Sequence, residues 1–187
     1  MTQDNYNRCD WVEGEPDFYQ KYHDEEWGKL NLDEDYLYEM MVLESFQSGL
    51  LWRIVLNKRA NFRQAFANFD PEKVALFDQT DIDRLLTDKG IIRNRMKIEA
   101  AINNAKVIKQ LHEDGTTIRQ FLQEEFPKQI INHPQTLSDL PSQDEHSKKL
   151  AKKLKKMGFK FLGPVTLYSF LQAVGIINDH LENCNFK

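Results

Sequence analysis

The chain has 187 residues, 41% of them hydrophobic and 29% charged, with a formal net charge of −4. Twelve Phe, six Tyr and three Trp supply a sizeable core and exclude wholesale disorder; eight Gly and six Pro are too few for a collagen-like or low-complexity chain. The length predicts one domain spanning residues 1–187.

The N-terminus, Met1 to Asn5, has no basic stretch leading into an apolar run, so no secretory leader is expected. The most apolar segment, residues 161–177, is interrupted by Gly163 and Pro164 and falls short of the roughly 20 residues a membrane span needs. These features predict a soluble intracellular protein. Charge is strongly segregated. Residues 1–50 carry 3 basic and 13 acidic side chains, a net of −10, whereas residues 51–187 carry 22 basic and 16 acidic, a net of +6. A polyanion meets a local patch rather than the mean charge. The seven Lys between Lys148 and Lys160, with no acid among them, form either such a patch or a solvated helix face.

Taken in chain order, the pattern is helical nearly throughout. From Asp35 to Leu56 apolar residues recur at three- and four-residue steps, as in a buried helix pair. Asp70-Pro71-Glu72 reads as a cap with proline in the first turn, and Thr80-Asp81-Ile82-Asp83 resembles a capping box. Further helices are expected over Arg93 to Lys109 and Thr117 to Glu125, and residues 132–147 read as a long connection. No strand with period-2 alternation is visible, so the fold class is all-α.

Between about residues 147 and 174 a Lys-rich amphipathic helix runs into Gly158-Phe159-Lys160-Phe161-Leu162-Gly163, and Pro164 opens an apolar helix. Such a hairpin either presents backbone N–H groups to a phosphate, as helix-hairpin-helix elements do, or is an ordinary αα-hairpin with a basic face. The two cysteines each have a histidine nearby. His180 and Cys184 are four residues apart, one helical turn, which puts both side chains on one face within reach of a single metal ion; Cys9 and His23 are separated by 14. A Cys2His2 set suits structural zinc, while free buried thiols or a disulfide remain open from spacing alone. Glu44 stands among apolar helix positions, where a carboxylate is either paired or functional. Trp11, Tyr19, Tyr22, Trp27 and Trp52 offer flat faces which, with one carboxylate, suit a nucleobase; each taken singly reads equally well as core.

Together these residues resemble the DNA-3-methyladenine glycosylase I family. The likeness is carried by Cys9-Asp10-Trp11, Tyr22-His23-Asp24-Glu25-Glu26-Trp27-Gly28, Leu43-Glu44 through Leu50 with Trp52, Gly158 to Pro164, and Asn178-Asp179-His180 to Cys184. The resemblance implies a helix-hairpin-helix glycosylase domain whose ends are joined by structural Zn2+ on Cys9, His23, His180 and Cys184. It implies Glu44 as the catalytic and base-recognising carboxylate. Tyr22 and Trp52 are expected to enclose the base, with Trp11, Tyr19, Trp27 and Phe46 near it. Gly158, Phe159, Lys160, Phe161, Leu162 and Gly163 are expected to hold the DNA backbone. The implied activity is removal of 3-methyladenine from double-stranded DNA by a monofunctional, monomeric cytoplasmic enzyme. Most of the helix-hairpin-helix superfamily carries a catalytic aspartate beyond the second hairpin helix; the resemblance implies that it is absent here, with Asn178 at or near the corresponding site. The chain departs from the family pattern at Phe46, Leu51 and Gln123. These departures raise a second expectation, a zinc-stabilised DNA-binding module with lost or altered excision.

Overall fold

The computed structural model describes residues 6–187; residues 1–5, on which the absence of a leader was judged, lie outside them. Ten α-helices are present among the described residues: α1 (Asp17–Glu25), α2 (Glu34–Gln47), α3 (Trp52–Asn57), α4 (Arg59–Ala65), α5 (Pro71–Val74), α6 (Gln79–Thr87), α7 (Arg95–Glu113), α8 (Ile118–Glu125), α9 (Glu145–Lys156) and α10 (Pro164–Ala173). No helix among the described residues is long and apolar enough to cross a membrane.

Local signals set most boundaries. Asp70 caps α5 by accepting from the N–H groups of Glu72 and Lys73, with Pro71 in the first turn. Thr117 and Gln120 close a capping box on α8. The box on α6 lies earlier than expected: Asp78 is the cap and Asp81 its partner, because Thr80 already belongs to the helix. The expected long connection holds one 3-10 turn at Leu137–Asp139. An all-α reading also misses one small feature, a two-residue strand β1 (Ile130–Ile131) pairing in parallel with β2 (Ile177–Asn178). A pair that short has no room for period-2 alternation.

Helix α2 is buried on nearly every side, from Leu37 to Phe46, and packs against α3, α7, α8 and α10. An enclosed helix has no polar stripe, and its buried Glu39 therefore needs a partner. Arg59 supplies one, donating through Nε to Glu39 (2.7 Å) and through Nη1 to Glu26 (2.8 Å). Arg59→Met leaves Glu39 with only the half-exposed Arg63. A loss of about 3 kcal/mol is expected, a melting-temperature drop of roughly 6–12 °C for a chain of this size. A drop under about 2 °C would show the network to be energetically idle.

At the C-terminal end of α2 the buried Lys97 ammonium donates to the carbonyls of Phe46 (2.9 Å) and Ser48 (2.7 Å). That cation satisfies carbonyls the helix leaves orphaned, and Gly49, at φ +82°, turns the chain into α3. Helices α9 and α10 form the expected hairpin. Gly158, at φ +97°, ends α9, and the side chain of Asn104 on α7 clamps Lys160, donating to its carbonyl (3.0 Å) and accepting from its N–H (2.8 Å). Gly175, at φ +71°, permits the following turn: a Cβ there would lie 2.1 Å from the carbonyl carbon of Lys29.

Candidate active site

Glu44 sits on the last turns of α2, 5% exposed, with no hydrogen-bond or ion-pair partner among the described residues. Burial alone pushes its pKa up to about 8. It opens onto a cavity of about 330 Å3 whose walls include Trp11, Tyr19, Tyr22, Trp27 and Trp52. The rings meet edge to face or tilted: Trp11 and Tyr19 centroids lie 5.3 Å apart, Trp11 and Trp27 5.1 Å, and Tyr22 and Trp52 5.6 Å. Burial, reinforced by nearby carboxylates that include Glu44, raises the Tyr19 phenol to about 12 and pushes the Tyr22 phenol well above its ordinary value, so both remain hydroxyl groups at neutral pH. Trp52 Nε1–H is buried without an acceptor among the described residues. An orphaned donor and an unpaired carboxylate in one cavity are both groups that a polar, flat guest would satisfy.

Six of the seven residues expected around the base are therefore brought together. Phe46 is not. It is fully buried and packs edge to face on Phe62 (5.0 Å) and Phe66 (6.2 Å). Two residues along a helix is about 200° of rotation, which turns Phe46 away from Glu44. Gln47, one turn on, shares Glu44's face and lines the cavity instead. The remaining wall, Leu140, Pro141, Ser142, Val165, Tyr168, Ser169 and Gln172, was not singled out from sequence. The packing of α10 on α2 places its four α10 residues there, and the connection ahead of α9 supplies Leu140, Pro141 and Ser142.

The hairpin lines a separate open groove of about 800 Å3 with Lys148, Lys149, Lys152, Lys155, Lys160 and Phe161. Lys149 and Lys153 are engaged by Glu125, and Lys148 by Glu145; Lys152, Lys155 and Lys160 form no ion pair among the described residues. Gly163 has an ordinary φ of −76°, and a Cβ on it would meet nothing within 4 Å. The fold itself thus does not require glycine there. Phe161 is held at φ +58° and is 43% exposed. Helix α10 joins groove and cavity: Pro164 lines the one and Val165 the other.

The ends of the chain meet behind the cavity. Ligand atoms of Cys9, His23 and Cys184 lie within 4.8 Å of one another, all buried, and this set could hold a metal ion. Two thiols and an imidazole are the donors zinc favours. His23 Nδ1 is hydrogen-bonded to Asp24 Oδ1 (2.8 Å), which leaves Nε2 toward Cys184 Sγ at 3.7 Å. Asp24 is in turn gripped by the Arg8 guanidinium (2.8 Å). Such outer partners fix the tautomer of a ligating histidine. The thiol of Cys9 is raised to about 12, chiefly by burial, so only a bound cation would make it a thiolate at neutral pH. His180 stands outside the three-residue group. Its ring centroid is 4.8 Å from that of His23, its Nδ1 is bonded to Asn178 Oδ1 (2.9 Å), and its Nε2 lies 3.4 Å from the His23 carbonyl. The expected helical turn from His180 to Cys184 is absent: the segment is a turn closed by Cys184 N–H on the Leu181 carbonyl (2.9 Å). Asn178, set near the superfamily aspartate, spends its side-chain oxygen on the backbone N–H and ring of His180.

The helical architecture is similar to that of solved 3-methyladenine DNA glycosylases I. A crystal structure of a 3-methyladenine DNA glycosylase I is similar to this chain with a TM-score of 0.92 at 42% identity, covering 96% of this chain and 98% of that one. The 3-methyladenine DNA glycosylase I of Staphylococcus aureus, solved to show the structural basis of its 3-methyladenine recognition, has a TM-score of 0.91 at 37% identity over 97% of each chain. In sequence, DNA-3-methyladenine glycosylase 1 of Escherichia coli strain K12 is 45% identical over 183 residues, 95% of both chains. A family model described as methyladenine glycosylase matches residues 11–187. The chain belongs to the methyladenine glycosylase family, a family of enzymes.

Proposed function

We propose that the chain, as a single domain acting as a cytoplasmic monomer, rotates 3-methyladenine out of duplex DNA into the aromatic cavity and hydrolyses its N-glycosidic bond. The observation that carries this reading is Glu44: a buried carboxyl with no partner among the described residues, in a base-sized aromatic cavity one helix away from a lysine-lined hairpin. A 3-methylated adenine in DNA is cationic and already a good leaving group. A carboxylate that is costly to ionise alone becomes favourable beside such a cation, and the attraction is strong where water is excluded. Glu44 recognises the base and draws the equilibrium toward the extruded state; Trp52 and Tyr22 cover its faces. The hairpin, Gly158 to Gly163, holds the phosphate backbone through its N–H groups and lysines without reading sequence.

Strand cleavage by a Schiff base needs a lysine at the sugar. No lysine among the described residues lines the cavity, and Lys97, at the α2 terminus, gives its ammonium to two carbonyls. The reaction we propose is therefore monofunctional hydrolysis. Bound by Cys9, His23, Cys184 and His180, zinc would be structural: it would fasten residues 9–23 to the C-terminus and supply no open position for chemistry. The departures at Phe46, Leu51 and Gln123 spare the cavity. Phe46 is in the core, Leu51 is 64% exposed, and Gln123 lies on the exposed face of α8 beside Leu30 and Phe126. None of them favours a module without catalysis. An end-labelled methylated duplex tests the mode of cleavage: incubation should leave the strand intact until alkali is added. Scission without alkali would contradict the monofunctional reading.

A further inference from the structure

Behind the cavity lies a further buried carboxylate, Asp179, 1% exposed. No cation faces it. It accepts from Tyr168 Oη (2.6 Å), Gln172 Nε2 (2.7 Å) and Asn132 Nδ2 (2.7 Å). A carboxylate only accepts, so its two oxygens fix the direction of every partner: the Tyr168 hydroxyl and the Gln172 amide must both point their hydrogens at Asp179. Gln172 therefore has its NH2 end anchored. Its Oε1 has no partner among the described residues and is not sealed from solvent, on a side chain that lines the cavity. The cavity accordingly presents an oriented carbonyl acceptor in addition to Glu44.

We infer that Gln172 is a specificity-determining residue that reads the exocyclic group at C6 of the extruded purine, and that Asp179 is the positioning residue that sets its polarity. This rests on the glycosylase reading above. The 6-amino group of an alkylated adenine carries two hydrogens, one for Glu44 and one for Gln172 Oε1. The 6-oxo group of an alkylated guanine would set oxygen against oxygen and leave both acceptors, the buried Glu44 and the half-buried Gln172, unpaired. A site built to bond one group discriminates strongly against its unbonded counterpart. Free rotation of the amide would erase that preference, and Asp179 prevents it.

Duplex DNA treated with a methylating agent contains both 3-methyladenine and 3-methylguanine, so the relative release rates of the two free bases, separated by chromatography, give an internally controlled ratio. Gln172→Met keeps the length of the side chain and removes the acceptor; the ratio of 3-methyladenine to 3-methylguanine release should fall about tenfold or more. Asp179→Ser frees the amide and should lower the same ratio in the parent chain, but produce no further fall in the Gln172→Met background. Loss of general packing would slow both bases alike and leave the ratio where it was. An unchanged ratio in Gln172→Met overturns the inference even if Asp179→Ser fails to fold, and equal falls from Asp179→Ser in both backgrounds overturn the positioning role. Absence of any base release from the unsubstituted chain would instead remove the glycosylase reading, and this inference with it.

Discussion

Glu44→Gln is expected to lower single-turnover excision of 3-methyladenine by about 10²- to 10³-fold, the range seen when one preorganised electrostatic group is removed from an active site. The amide preserves shape but cannot oppose the positive charge of the base. A second readout separates this role from packing. With a folded-state pKa of about 8 and an ordinary value near 4.5, the Glu44 carboxyl binds its proton more tightly when folded. Its contribution is fully present below pH 4.5 and is lost as pH rises through 8. At pH 8.5 the Gln variant should be more stable than the parent chain by on the order of 5 kcal/mol at most, and by nothing from this source at pH 4. Thermal unfolding at the two pH values measures it. A stability difference independent of pH would show that Glu44 has a partner in the folded chain. A variant that excises as fast as the parent would remove Glu44 from the reaction.

The second large effect concerns the metal. Freshly purified protein should contain about one zinc per chain, and Cys184→Ser should lose it. Cys9 and Cys184 are separated by most of the sequence yet share one buried cluster, so the ion would close a loop that spans nearly the whole chain. Removing one ligand should cost several kcal/mol and lower the melting temperature by roughly 10 °C or more. A chelator should reproduce the loss in the parent and do nothing further to Cys184→Ser. Zinc content near zero in the parent, with no chelator effect, would contradict the four-ligand site. His180→Ala distinguishes a ligand from a neighbour: loss of the ion places His180 on it, and retention at full affinity confines the set to Cys9, His23 and Cys184.

Much of this was legible in the sequence because local chemistry decides it. Asp70-Pro71 and Thr117 cap the helices they announce, and the apolar spacing from Asp35 to Leu56 resolves into α2 and α3, broken at Gly49. Other features were out of reach for physical reasons. Tyr168 and Gln172 are more than 100 residues from Glu44, and their approach to the cavity depends on how α10 seats on α2. The turn at residues 180–184 was read as helix because the i, i+4 spacing of His180 and Cys184 is the same in either conformation, and only the hydrogen bond to Leu181 decides between them. Phe46 could have been placed correctly: its 200° offset from Glu44, and the sharing of one face by Glu44 and Gln47, follow from helical geometry alone.

The central claim is that the Glu44 cavity is the place where 3-methyladenine leaves DNA. Its most direct measurement is single-turnover release of free base from methylated duplex DNA, followed by chromatography, for the parent chain and for Glu44→Gln and Trp52→Ala. The parent should release 3-methyladenine to completion, and both variants should release it at least about a hundredfold more slowly while still binding the duplex. Tight binding of the duplex by the parent chain with no release of 3-methyladenine would contradict the account.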